Sequence, residues 1–552
     1  MPAPPPPFVR RALAQVLNAS LSRRTPLRSL AAAGIRGLPL PRPGRTLTTQ
    51  DLLATFNHVV VLMLENRSFD NVLGYLYGPN EAPRGQTFEG VAGKALSNPI
   101  PSDVHGAERG LVPVAQGYVS DNPNPDPGEE YPHVNTQLFG TVLPAVNRYR
   151  DALAMAPPFN APEPLPSPAP MSGFVQDYID NFVRTEKRAP TYDEYRVIMD
   201  CFPPEAVPVL STLAKEFAVC DAWHCAVPSQ TFCNRSFFHA ASSSGAVVNA
   251  PYAHWVAANQ AETIFNRIDA VGNPTLSWKV YFDQEDVVPL TGLIHYPVLK
   301  DTLATQFFTM DQFFEDARTG NLPSYAFIEP RLFLNHNDMH PPIKILGRTQ
   351  PSSVLAGELL VNQIYDAIRL ADRPTGSNWR NTLLVITFDE HGGCYDHVPP
   401  PAAVPPETSA PAGQMAFRFD RLGVRVPTIL VSAYVEPGTV VKTPLDHCSL
   451  IKTLSEKWGL GHLTERDRAA TGLGGVLTRS TPRDAGEWPV IAHRPLPLAQ
   501  DRASNADQPL NGLQKSIVGL ATAIAGDPGS LADTLTVVEA IRYMDRATAG
   551  VR

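Results

Sequence analysis

"HVVVLMLENRSFDNVLGYL", His58 to Leu76, is the stretch whose reading decides the fold. Val59 to Leu64 is an unbroken apolar run rich in β-branched residues, as expected of a strand covered on both faces of a sheet. The run then stops at an acid, an amide and a base, Glu65, Asn66 and Arg67, all costly to bury. A second stretch has the same form: "NTLLVITFDEHGG", Asn381 to Gly393, is a buried strand ending in Asp389 and Glu390. In open α/β sheets functional groups gather just past the carboxyl ends of the strands. Glu65, Asn66, Asp389 and Glu390 are therefore expected to converge at one rim. Three carboxylates and an amide oxygen in one place repel each other unless a cation sits between them, and a hard divalent metal is the natural resolution. A lone acid at a strand end would be a helix cap or a surface charge. Two such ends, each with an adjacent polar pair, favour a site for one divalent metal ion.

Working outward, the chain alternates strands and helices with long loops. "AVPVLSTLAKEFAVCDAWHC" (Ala206 to Cys225) has helical spacing and then a strand-like run. "SWKVYF" and "SYAFIEP" read as short strands and "RVPTILVSAY" as a further one. "SSVLAGELLVNQIYDAIRLA", Ser352 to Ala371, is an amphipathic helix with Ser352 or Ser353 as N-cap, and "DHCSLIKTLSEKWGL" opens another. This alternation predicts an α/β fold with a mostly parallel sheet between two helical layers. Residues 1–50 read as a basic tail, 51–490 as a catalytic domain with a Pro- and Gly-rich insertion or lid at about 79–170, and 491–552 as a C-terminal helical extension.

Composition narrows the function. The 552 residues carry a net charge of −8, and the eight arginines of residues 1–50, which hold no acid, leave −16 for the rest. So acidic a body is a poor nucleic-acid binder. No run reaches the roughly 18 apolar residues of a transmembrane segment. Arg23 and Arg24, followed by a short apolar stretch, resemble a twin-arginine export signal, although Pro26 and Arg36 interrupt it. Export would make the protein periplasmic or secreted; otherwise it is cytoplasmic. The six cysteines contain no CxxC pair, which argues against structural zinc, and the four within residues 201–233 leave room for one disulfide.

A second constellation is "CAVPSQTFCNRSFFHAASSSG", Cys225 to Gly245. Attack of a hydroxyl on phosphorus needs an activated oxygen and positive groups for the equatorial oxygens. Thr231, with Asn234 and Arg235, could supply them; the bland alternative is a polar turn between strand and helix. Histidines in predicted loops add general acids or phosphate donors: His133 in "EEYPHVN", His336 and His340 in "LNHNDMHPP", His391 and His397 in "DEHGGCYDHVPPP", and His447 in "PLDHCS".

These blocks, in this order, resemble the phosphoesterase family that holds bacterial phospholipases C and related acid phosphatases, within the alkaline-phosphatase-like superfamily. "ENRSFD", "MSGFVQDY", "LSTLAKEFAVCDAWHCAVPSQTFCNR", "NDMHPP", "DEHGGCYDHVPPP" and "LDHCSLIKTLSEKWGL" carry the resemblance across about residues 55–460. It implies a three-layer αβα sandwich and one bound divalent metal held by Glu65, Asn66, Asp389 and Glu390. It implies Thr231 as the nucleophile, also touching the metal. His133 and His340 would bind phosphate or protonate the leaving group, with His397 and His447 as weaker candidates. The chain departs from the family pattern where Cys233 replaces a Pro and "VPSQ" precedes Thr231, which keeps Ser229 as an alternative nucleophile. The expected substrate is a phosphate ester, including phospholipid at a membrane surface. Rival readings are a broad acid phosphatase on phosphomonoesters and a non-catalytic binding protein on the same fold.

Overall fold

The structure is a computed structural model that describes residues 48–496, less 287, 334 and parts of 343–353, together with 510, 512–525 and 535–549. Arg23, Arg24 and the two serines expected to cap a helix lie outside the described residues.

Eight strands form one sheet: β1 (His58–Leu64), β2 (Ala218–Cys220), β3 (Trp278–Phe282), β4 (Phe307–Thr309), β5 (Tyr325–Ile328), β6 (Thr382–Phe388), β7 (Ile429–Val431) and β8 (Thr439–Val441). Their order is β8-β2-β7-β6-β1-β5-β3-β4. Every neighbouring pair is parallel except the two that involve β7. The apolar runs β1 and β6 lie side by side at the centre, paired from His58↔Thr382 to Leu64↔Phe388. This register brings Glu65 and Asp389 to the same level of the rim. The stretch read as "RVPTILVSAY" runs antiparallel because no α-helix separates β6 from β7. Without a crossover, a strand that leaves the rim by a loop can only come back down.

Strand alternation separates the two helical layers. Phe327 and Val280 share one face, where Phe327 meets Phe238 of α5 (Thr231–Ala240). Tyr281 points to the other face and meets Phe313 of α6 (Met310–Thr319). There α6 packs on α7 (Val354–Arg369), which packs on α4 (Pro208–Glu216). The sequence is thus an α/β sandwich with a mostly parallel sheet, as expected. On the α5 side, α8 (Cys448–Trp458) packs against α5. Of the C-terminal helices α9 (Gly512–Ile524) and α10 (Val537–Ala549), α9 buries Leu513, Ile517 and Leu520, and Gln514 Nε2 donates to the Leu332 carbonyl at 2.9 Å.

The insertion is less irregular than its composition suggested. After the short α1 (Phe69–Leu73), it contains α2 (Tyr131–Phe139), which packs on α3 (Phe174–Glu186) around a second apolar core of Val134, Leu138, Phe174, Tyr178 and Ile198. All nine residues of α2 are buried, so the helix has no polar face and no amphipathic period to read. The six cysteines are all buried and free, so the room the sequence leaves for one disulfide is not used.

Candidate active site

Glu65 and Asn66 follow β1 directly, with Asn66 in the left-handed region at φ 55°. The Asn66 amide donates to Asp389 Oδ1 at 3.1 Å, and the Glu390 amide donates to the same oxygen at 2.7 Å. Glu390 Oε2 accepts from the Gly392 amide at 2.7 Å. Gly392 has φ 60°, and a Cβ there would fall 2.3 Å from the Asn66 carbonyl oxygen. Glycine therefore lets the turn after β6 close onto the end of β1. The other oxygens, Asn66 Oδ1, Asp389 Oδ2 and Glu390 Oε1, are buried without a hydrogen-bond partner. Arg67 is spent on structure: it donates to the carbonyls of Met339 and Asn122, at 2.8 and 2.7 Å.

Thr231 is the first residue of α5, and Gln230 precedes it as the extended N-cap. Its Oγ1 donates to Glu65 Oε2 at 3.2 Å. One turn on, Arg235 Nε donates to Glu65 Oε1 at 3.0 Å and lies 3.8 Å from Asp389 Oδ2. The positive end of the α5 dipole also faces this point. Thr231, Arg235 and the four rim residues are thus brought together as expected. Asn234 is corrected from phosphate binding to shaping the loop. Its Oδ1 accepts from the Val227 amide at 3.0 Å, and its Nδ2 donates to the carbonyls of Val227, Ser229 and Gln230. No polar atom is left for substrate. Ser229 Oγ is buried without a partner.

Two acids missed in the sequence complete the site, Asp126 and Glu129, from the "NPDPGEEY" part of the insertion. Glu129 Oε2 accepts from Asn66 Nδ2, and its Oε1 accepts from Gln230 Nε2 at 3.1 Å. Asp126, Glu129 and His340 form a compact donor group. His340 Nδ1 donates to the Pro341 carbonyl at 2.9 Å, so its Nε2 bears the lone pair that faces Asn66 Nδ2 at 2.9 Å. This fixes the Asn66 amide with Nδ2 outward and Oδ1 toward the rim. His340 is corrected accordingly: both ring nitrogens are engaged, and it orients Asn66.

His133 is not hydrogen-bonded to any rim residue. Its Nδ1 pairs with Asp177 Oδ1 at 2.7 Å, and it lines a small pocket inside the insertion with Asn147, Arg148 and Asp177. His447 accepts from Trp223 Nε1 at 3.2 Å and donates through Nε2 to the Asp389 carbonyl at 2.6 Å, so it holds β6's end in place. His397 belongs to a separate network with Asp70 and Glu89.

The rim's electrostatics follow from burial. Desolvation pushes Glu65 well above the carboxylate range, with Arg235 opposing it. Desolvation and then Glu129 and Asp389 raise Glu390. Burial drives Glu129 up to about 8. Burial lowers His340, and lowers His447 to about 4, so both rings are neutral near pH 7. Clustered acids with raised pKa values and orphaned oxygens are a destabilised arrangement that a cation would relieve. The donors are all oxygens, a hard set suited to magnesium or calcium, so the residues present fit a divalent metal.

A sequence model of the Phosphoesterase family matches residues 56–461. "Non-specific phospholipase C3" of Arabidopsis thaliana is 33% identical over 517 residues, covering 89% of this chain and 87% of that protein. "Non-specific phospholipase C4" from the same plant is 32% identical over 485 residues, 85% of this chain and 80% of that protein. "Non-hemolytic phospholipase C" of Pseudomonas aeruginosa is 24% identical over 446 residues, 74% of this chain and 54% of that protein. The resemblance first read through bacterial proteins thus extends, at higher identity, to plant ones. The chain belongs to the phosphoesterase family and is a hydrolase acting on phosphoester bonds.

Proposed function

We propose that the protein is a metal-dependent phosphoric-ester hydrolase of phospholipase C type, cleaving phospholipid or related phosphodiesters through a phosphothreonine intermediate on Thr231. The observation that carries this reading is Thr231 Oγ1, 3.2 Å from Glu65 Oε2 at a rim where three further buried oxygens lack partners. Asn66 Oδ1, Asp389 Oδ2, Glu390 Oε1 and Glu65 would hold one divalent ion, with Thr231 beside it. Such an ion, when bound, lowers the pKa of a neighbouring hydroxyl and polarises a phosphoryl oxygen.

The chain's own groups account for the rest. Glu65 accepts the Thr231 hydroxyl hydrogen and aims the oxygen, and the α5 N-terminus favours negative charge as that oxygen loses its proton. Attack forms the Thr231 Oγ1–phosphorus bond as the bond from phosphorus to the alcohol oxygen breaks, that oxygen taking up a proton from solvent in place of the one Thr231 loses, and water then cleaves the Thr231 ester to free the phosphate group. With a diester substrate the bound phosphoryl still carries its headgroup. Arg235, paired with Glu65 and close to Asp389, holds the rim's charge in check, and Asn234 fixes the turn that presents the nucleophile.

The relatives' names favour a phospholipid, and no helix among the described residues is long and apolar enough to cross a membrane. The expected behaviour is release of diacylglycerol and phosphocholine from phosphatidylcholine vesicles, abolished by a chelator and restored by a divalent cation. Faster turnover of a chromogenic phosphomonoester than of the diester would replace this reading with an acid phosphatase. Inertness toward both in the presence of metal would leave a binding protein.

A further inference from the structure

The helix that carries Thr231 is capped from outside. Gln230 holds the N-cap position of α5, yet its side chain makes no capping bond, so the first amides of the helix need partners from elsewhere. Asn249, in the loop beyond the helix, supplies one. Its Oδ1 accepts from the Phe232 amide at 3.0 Å, the bond an Asn at the N-cap would itself make. The Asn249 amide in turn donates to Gln230 Oε1 at 3.0 Å. A backbone N–H can only donate, so neither side-chain amide can be flipped. Gln230 Nε2 therefore faces Glu129 Oε1 at 3.1 Å, and Asn249 Nδ2 faces Ser516 Oγ of α9 at 3.3 Å. The Asn249 carbonyl accepts from Trp255 Nε1 at 2.7 Å, and the Trp255 ring stands edge-on to that of Phe232. Asn249 is buried, and each of its polar groups has a partner.

The loop that carries Asn249 is itself braced. The Val247 and Val248 amides both donate to Gln414 Oε1, at 2.9 and 3.1 Å, and Gln414 Nε2 donates to the Ala250 carbonyl at 2.8 Å. Thr231 thus lies between two residues, Gln230 and Phe232, that are both bonded to one asparagine on a pinned loop. Its own bond to Glu65 is 3.2 Å, long for a hydroxyl donor, so the backbone on either side must aim the oxygen. A displacement of about 1 Å in a reacting group can cost about 10²-fold in rate. We propose that Asn249 is a positioning residue for the nucleophile: it sets the backbone on both sides of Thr231, and through Ser516 it ties the C-terminal extension to the active site. This rests on Thr231 being the nucleophile, as proposed above.

Steady-state hydrolysis of p-nitrophenylphosphorylcholine, a soluble phosphodiester, in the presence of Mn²⁺ tests it. Asn249→Leu should lower kcat about 10- to 100-fold with KM changed by less than about twofold, because the nucleophile moves while the groups around it stay. Asn249→Asp keeps an oxygen toward the Phe232 amide and can accept from the Ser516 hydroxyl, so kcat should recover to within about threefold of the unsubstituted protein. As a control, Thr263→Ala removes the N-cap of a separate helix, Ile264–Ala270, and should lower the melting temperature with kcat unchanged. Full kcat in Asn249→Leu, no recovery in Asn249→Asp, or an equal loss of kcat in Thr263→Ala overturns the proposal. Should Asn249→Leu not fold, Trp255→Phe keeps a ring against Phe232 and removes only the donor to the Asn249 carbonyl. There kcat should fall severalfold at constant KM, and an unchanged kcat overturns the proposal. Near-normal turnover by Thr231→Ala, or an unsubstituted protein inert toward the diester, overturns the nucleophile reading itself and this proposal with it.

Discussion

The motifs "ENRSFD" and "DEHGGCYDH" meet twice, with opposite outcomes. Their first halves meet at the rim, where Glu65, Asn66, Asp389 and Glu390 leave three buried oxygens without a partner. Their second halves meet at a network of Asp70, Asp396 and His397 closed by Arg425. There Asp70 takes Arg425 Nη2 at 2.9 Å on one oxygen and His397 Nδ1 at 2.5 Å on the other. Asp396 takes Arg425 Nε at 3.0 Å and the Val398 amide at 2.9 Å on one oxygen, and the Asp70 amide at 3.1 Å on the other. Arg425 Nη1 donates to the Asp221 and Glu89 carbonyls at 2.7 and 2.9 Å. The network could hold a metal by donor type alone. Its own arginine already supplies the positive charge. Satisfied buried charge is scaffold, and unsatisfied buried charge is a site.

Substitutions should separate the two regions. The largest effect is expected from Thr231→Ala, with turnover down by about 10³-fold or more and an unchanged melting temperature, since the hydroxyl makes the covalent bond but little of the packing. A near-normal rate here, with Ser229→Ala inactive, would move the nucleophile to Ser229. Next, Arg425→Met should cost about 3–5 kcal/mol in denaturant unfolding, because Asp70 and Asp396 are left buried without their cation. Asp389→Asn should do the opposite in metal-free protein. It should abolish activity without lowering stability, because it removes charge from a repelling group. Equal destabilisation by the two would erase the distinction.

A smaller effect concerns pH. Glu129 ionises near 4.5 when unfolded and at about 8 when folded without metal. A carboxyl with a raised folded pKa contributes stability that is fully present below the unfolded value and is lost as pH rises through the folded one. Metal-free protein should therefore melt at progressively lower temperature between about pH 4.5 and 8. Added Mg²⁺ or Ca²⁺ should flatten the slope. The smallest effect is Ser229→Ala, where a buried hydroxyl without a partner is removed. Stability should stay level or rise slightly, and turnover should not change.

The parts legible in the sequence were those with a local signal. β1 and β6 are apolar runs that stop at acids, so their pairing and the shared rim could be read from either strand. Thr231 and Arg235 sit one helical turn apart and needed only the helix to face Glu65. The histidines misled, because a loop position says nothing about which partner a ring nitrogen finds. His340 is used up by Pro341 and Asn66, whereas His133 pairs through Nδ1 with Asp177 and keeps a buried Nε2 without a hydrogen-bond partner. Glu129 was missed because its role depends on the insertion folding back over some sixty residues of chain to reach Asn66. Asn234 was misread for the opposite reason: a short polar side chain near a helix start spends itself on local backbone.

The central claim is that one divalent cation belongs to the rim and none to the arginine-closed network. Anomalous diffraction from a crystal equilibrated with Mn²⁺ tests it most directly. The account predicts a single strong peak bounded by Glu65, Asn66 Oδ1, Asp389 Oδ2 and Glu390 Oε1, with Thr231 Oγ1 beside it and nothing at Asp70, Asp396 and His397. An empty rim, or a peak at the network instead, would contradict it.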